Sequence, residues 1–365
     1  MFKHITTLLI FVLSFAAHGQ SIIALKKQAC DKQVVYLGEE ASHYNAKALT
    51  LRTEITHYLV ENCGFNGVFF EAQTYDFVYL NKELEQGELN KLALEGALGG
   101  FVSGSQEVQP LVNLIYDKAR SGSIYLAGLD MQTGGRTNQY TKQYLAKDIA
   151  SLLGAEQSVA CYRLINRHLN WLYDKQNPYS EKVKSNITEC AKRAFEASKT
   201  QADSRLAYLA ERYSTFNLFS RNNMFSLRSE GMYDSFVWHM QQLPQDSKVI
   251  VWGASIHGAK RFNLINNKLS TLGKRLYQDY GNGYASYALV GLNKQQPSSE
   301  LQTIVEPLKK QEKVVYLALG KSITPNKFAA NIISYQEVIN TEWFEQFDGI
   351  LITEKESPFT KRLAL

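Results

Sequence analysis

Short runs of strand-forming residues alternate with longer helical stretches along most of this chain, and that alternation is what most constrains its fold. The runs are Val34–Leu37, Gly67–Glu71, Ser123–Ala127, Lys248–Trp252, Ala285–Val290, Val314–Leu319 and Gly349–Thr353. Each is short and apolar, and several are rich in Val, Ile, Tyr or Phe, as strands covered on both faces must be. Between the first two, Ala48, Leu51, Ile55 and Leu59 recur at helical spacing, and Asn62-Cys63-Gly64 signals the stop. The alternation predicts an α/β fold, a mainly parallel sheet covered by helices. Residues from about 139 to 245 break the rhythm. They hold long amphipathic stretches and no convincing strand, and they read as a helical insertion that caps a pocket. Their aromatics, Tyr208, Tyr213, Phe216, Phe225 and Phe236 among them, suit a helical core equally well.

The chain has 365 residues, 45% hydrophobic and 21% charged, which suits a globular protein with a large core and excludes a disordered one. Residues 1–19 read as a secretory signal peptide. Lys3 and His4 form the basic region, Leu8 to Phe15 the apolar region, and Ala17-His18-Gly19 the small-residue cleavage site. The apolar run is too short to span a bilayer comfortably, and no later stretch reads as transmembrane. The expectation is an exported protein, periplasmic or secreted, whose single domain covers residues 20–365. The net charge of +5 includes no dense basic stripe, so nucleic-acid binding finds no support. Cys30 could meet Cys63, and Cys161 could meet Cys190 across a helical hairpin; the alternative is four free, buried thiols.

Ionisable and polar residues gather where strands end. Gly38-Glu39-Glu40-Ala41-Ser42-His43 follows the first run, Glu71 closes the second, Asp130 follows the third, and Ser255 and His257 follow the fourth. In open parallel sheets, ligands bind outside the carboxyl ends of the strands. Those groups are therefore expected to converge on one cleft, with Arg52 facing back toward it from the next helix. A histidine titrating near neutrality can take a proton from water, and a neighbouring carboxylate can orient it. Each also has a plainer reading: His43 as a helix cap, Glu71 and Arg52 as surface charges, His257 as a satisfied structural histidine, Asp130 as a loop hydrogen-bonder. His57, His168 and His239 read as surface or core residues.

Several blocks together carry a resemblance. They are LGEEASH (Leu37–His43), GFNGVFFEA (Gly64–Ala72), AGLDMQ (Ala127–Gln132), VIVWGASIH (Val249–His257), LGKRLYQDYGNGYASYALVG (Leu272–Gly291) and FDGILIT (Phe347–Thr353). The chain resembles the erythromycin esterase family over most of its length, with the helical middle poorly matched. The resemblance implies that Glu40 and His43 are the active-site glutamate and general base, that Arg52 is the helix arginine, and that Glu71 is the strand-end glutamate. The family's later block usually reads W-x-H-N-x-H. Trp252 and His257 match it, whereas Ala254 and Ser255 replace its first histidine and its asparagine, and Glu39 is an additional glutamate.

The resemblance implies hydrolysis of a carboxylic ester or lactone by water activated at His43. Glu71 would orient that base, His257 and Arg52 would stabilise the oxyanion, Glu40 would order the water, and Asp130 and Ser255 would line the substrate. No cofactor or metal is expected, and the expected partner is a small-molecule substrate. Two alternatives stay open: a metal-dependent hydrolase using the same Glu/His cluster, and a ligand-binding relative without catalysis, motivated by Ala254.

Overall fold

The computed structural model describes residues 20–40, 45–100, 102–133, 140–200, 203–217, 224–261, 270–309, 314–318, 325–333 and 337–362. The expected signal peptide and His43 lie outside the described residues. A seven-stranded sheet is built from β1 (Val34–Glu39), β2 (Phe65–Gln73), β3 (Tyr125–Asp130), β4 (Lys248–Ala254), β5 (Tyr284–Gly291), β6 (Val314–Ala318) and β9 (Gly349–Thr353). Its order is β3-β2-β4-β1-β5-β9-β6. All neighbours are parallel except β6, which runs antiparallel to β9 at one edge. Before β9 the chain makes a separate antiparallel pair, β7 (Lys327–Ala330) with β8 (Ile339–Glu342). These two strands are not apparent from the sequence because they are short and partly exposed rather than continuous apolar runs.

Side-chain alternation along the strands sorts the core into two layers. Val35, Leu37, Val68, Phe70, Leu126, Ile250 and Trp252 pack with the helices Ala46–Cys63, Thr74–Glu85 and Gln109–Arg120. Val34, Tyr36, Phe69, Ala127, Val249 and Val251 pack with Met232 and Phe236 of the helix Met224–Met240 and with Leu272 and Leu276 of the helix Leu272–Tyr280. The helix Ala46–Cys63 starts where Asn45 accepts from the amides of Lys47 and Ala48 at 3.0 and 3.2 Å. It stops at Gly64, whose φ of 71° is the left-handed conformation that glycine adopts without cost.

Described residues between 140 and 240 contain helices and no strand. Within them, a disulfide joins Cys161 of the helix Ala155–Leu169 to Cys190 of the helix Glu181–Ser198. A second disulfide joins Cys30 to Cys63, tying the helix Gln20–Cys30 to the end of Ala46–Cys63. No cysteine is free. Among the described residues, no helix is long and apolar enough to cross a membrane.

Candidate active site

The strand ends place most of the candidate residues, and the described contacts gather them in two groups. β2 carries Glu71 at an irregularity in its pairing with β3, between Phe70 and Gln73. Such a bulge re-aims a side chain out of the ladder. Glu71 Oε2 accepts from the Ala254 amide at 2.6 Å, and its Oε1 accepts from Arg228 Nη2 at 2.6 Å. Asp130 ends β3, which starts two residues later than expected because Gly122, at φ 69°, turns the chain before it. Its Oδ2 accepts from Arg228 Nη2 at 2.8 Å and Nε at 3.1 Å, while its Oδ1 accepts from the Gln132 amide at 3.0 Å. His257 follows β4 in the short helix Ser255–Gly258. Its Nε2 lies 3.5 Å from Glu71 Oε1 and 3.4 Å from Arg228 Nη1. The Phe225 ring stacks on the imidazole, with centroids 5.3 Å apart.

Arg228 is the hub of this cluster, and sequence reasoning missed it. It stands on the helix Met224–Met240, within the expected insertion, and binds two carboxylates from two strands. Burial opposes its charge, yet Asp130 first and Glu71 next hold the guanidinium pKa above its ordinary value. A strand-end carboxylate left in such a site needs a cation, but nothing in the sequence says which of the many basic residues of the helical segment supplies it.

Glu40 and Arg52 take other partners. Glu40 Oε1 accepts from the Gly291 amide at 2.7 Å, at the end of β5. Arg52 Nη1 pairs with Glu39 Oε1 at 2.8 Å, both side chains being buried. Its guanidinium lies over the Trp252 ring, 4.1 Å from the centroid. Glu39 follows Val35 and Leu37 onto that face, and it is in register with Ala254 of β4. The additional glutamate therefore stands beside the alanine that replaces a histidine, and it neutralises the arginine. Among the described contacts, Glu71, Asp130 and His257 meet through Arg228, and Glu39 pairs with Arg52 beside Trp252. Ser255 is buried against β1, so close that a Cβ on Gly38 would come within 2.7 Å of its hydroxyl. Only glycine admits that approach.

Tyr36, fully buried, donates to the Ala254 carbonyl at 2.9 Å. Burial, and then the charge of Glu71, push its pKa well above the ordinary tyrosine value, so it stays a neutral donor. His168 and His239 are buried with pKa values lowered by burial to about 4 and about 3, as neutral structural imidazoles. His57 is exposed on its helix. Among the described residues, no group of three His, Cys, Asp or Glu is arranged to hold a metal ion.

The arrangement offers a fixed carboxylate, an imidazole and a guanidinium at the carboxyl ends of adjacent strands. Such a set can orient a base and stabilise a developing negative charge.

The sequence pattern of the family described as Erythromycin esterase matches residues 60–299. No curated protein sequence matches. Among solved structures, a Bacillus cereus protein is similar at 17% identity, with 93% of this chain and 92% of that chain covered and a TM-score of 0.67. A succinoglycan biosynthesis protein is similar at 18% identity, with coverage of 92% and 91% and a TM-score of 0.67. A mutant of the erythromycin esterase EreC in its open conformation is similar at 15% identity, with coverage of 92% and 94% and a TM-score of 0.64. At these identities the likeness is one of fold.

Proposed function

The chain belongs to the erythromycin esterase family, and from that premise we propose that it hydrolyses a carboxylic ester or lactone of a small molecule. The observation that carries the reading is the Glu71–Arg228–Asp130 cluster with His257 against it. In this reading His43 is the general base that takes a proton from water, a role worth about 10²–10⁴-fold in rate. Glu71, fixed by Arg228 and the Ala254 amide, orients that base. His257 stabilises the oxyanion, and Asp130 keeps Arg228 in place. Glu40 orders the water or a neighbouring chain from its seat on the Gly291 amide. Arg52, neutralised by Glu39, acts by holding Trp252 and the end of β1 rather than by meeting the substrate. Ser255 lines the floor. The helical insertion from about 139 to 245 forms the wall that selects the substrate, since it delivers Phe225 and Arg228.

The two disulfides support export into an oxidising compartment, with residues 1–19 as the signal that is removed. A panel of acyl esters and lactones, macrolides included, tests the activity. Turnover in the wild type and its loss in a folded His43→Gln variant are the expected results. A binding protein without catalysis, the reading that Ala254 favours, would bind a panel member without turning it over.

A further inference from the structure

A polar cavity lies along the helix Thr74–Glu85, lined by none of the residues of the Glu71 cluster. It has a volume of about 220 Å³ and is lined by Tyr79, Tyr140, Tyr144, Lys82, Glu83, Gln86 and Asp148. The three tyrosine rings form one continuous wall, with centroids 5.7–5.8 Å apart. Tyr79 and Tyr140 are buried, while Tyr144 is 44% exposed.

One tyrosine hydroxyl anchors one of the two carboxylates: Tyr79 donates to Asp148 Oδ2 at 2.6 Å, while Tyr140 and Glu83 line the same cavity. Glu83 Oε2 is buried and receives no donor from the described residues. A buried carboxylate oxygen without a donor is costly to leave so. The lining carries one ammonium, Lys82, and two carboxylates, so its formal charge is negative.

We propose that this cavity binds a guanidinium group. The group is planar and stacks on tyrosine faces, and it stays charged at any ordinary pH. It also brings several N–H donors in a flat fork, which suits the open oxygen of Glu83 and the nearby Asp148. A quaternary ammonium would satisfy the rings but give Glu83 Oε2 no hydrogen bond. A neutral amide would supply the donor without the charge. The cavity is small for a whole drug-sized ligand and suits a single such group. This inference stands independently of the hydrolase reading.

The test is calorimetric titration of the full protein with methylguanidinium chloride and with the tripeptide Gly-Arg-Gly. Methylurea serves as the uncharged isostere and tetramethylammonium as the cation without donors. Binding of methylguanidinium identifies a small-molecule source, and binding of the tripeptide alone an arginine side chain. Methylurea and tetramethylammonium are expected to bind at least about tenfold more weakly than the guanidinium ligand. Glu83→Gln, which keeps the side-chain shape, and Tyr144→Ala at the exposed ring are each expected to weaken binding by about tenfold. Circular dichroism shows whether each variant is folded. Equal binding of methylurea or tetramethylammonium, no binding of either guanidinium ligand, or unchanged affinity in both folded variants would overturn the proposal.

Discussion

Arg228 Nη2 lies 2.6 Å from Oε1 of Glu71, and this contact ties the helix Met224–Met240 to the end of strand β2. The same nitrogen reaches Asp130 at 2.8 Å, so one guanidinium keeps two carboxylates together. Replacing it with methionine leaves two like charges in a largely buried site. Arg228→Met is expected to destabilise the fold by about 3 kcal/mol in urea unfolding. Turnover should fall by more than that loss of folded protein accounts for. A variant with wild-type stability would show that the cluster is not held as described.

Glu39 and Arg52 give the opposite expectation. Their buried pair sits beside Trp252. Glu39→Gln should cost stability, again by about 3 kcal/mol, because it leaves a buried guanidinium without its carboxylate. At temperatures where the variant is folded, turnover per folded molecule should fall less than in Glu71→Gln. A loss equal to that of Glu71→Gln would place Arg52 at the substrate.

Asp76 gives a pH signature. Burial raises its pKa from 3.8 to about 6, against hydrogen bonds from Thr141 that pull it down. The folded chain thus holds this proton more tightly than the unfolded chain does. Its contribution favours folding below about pH 4 and is lost as pH rises through about 6. Asp76→Asn should remove that loss. Relative to the wild type, the variant should gain roughly 2–3 kcal/mol between pH 4 and pH 7, because a tenfold difference in proton affinity corresponds to about 1.36 kcal/mol. Parallel stability–pH curves for the two proteins would contradict this assignment.

The disulfides can be counted and removed. Denatured, unreduced protein from an oxidising compartment should show no free thiol. A Cys161→Ser, Cys190→Ser double variant should lose about 3–4 kcal/mol, the chain-entropy value for the loop that this bridge closes. Four reactive thiols in the unreduced wild type would refute both statements.

The sheet was legible because each buried strand is a short apolar run between helical stretches. Val34–Leu37 and Lys248–Trp252 both lie inside strands of the sheet. Glu71 and His257 were legible as strand-end groups for the same reason. Arg228 was not, because local periodicity gives a helix its apolar face but not its partner across 157 residues of sequence. The pairing of Glu39 with Arg52 was hidden too, because a strand-end carboxylate does not name its partner on the next helix. Ala254 and Glu39 looked like two unrelated departures until pairing placed them side by side.

The central claim is that Glu71 serves an ester-hydrolysing site. The most direct measurement is turnover of the best substrate from an ester and lactone panel by wild type and Glu71→Gln, each checked for folding by circular dichroism. The account predicts measurable hydrolysis by the wild type and a fall of at least about 10²-fold in the folded variant. Wild-type turnover in folded Glu71→Gln, or no hydrolysis of any panel member by the wild type, would contradict it.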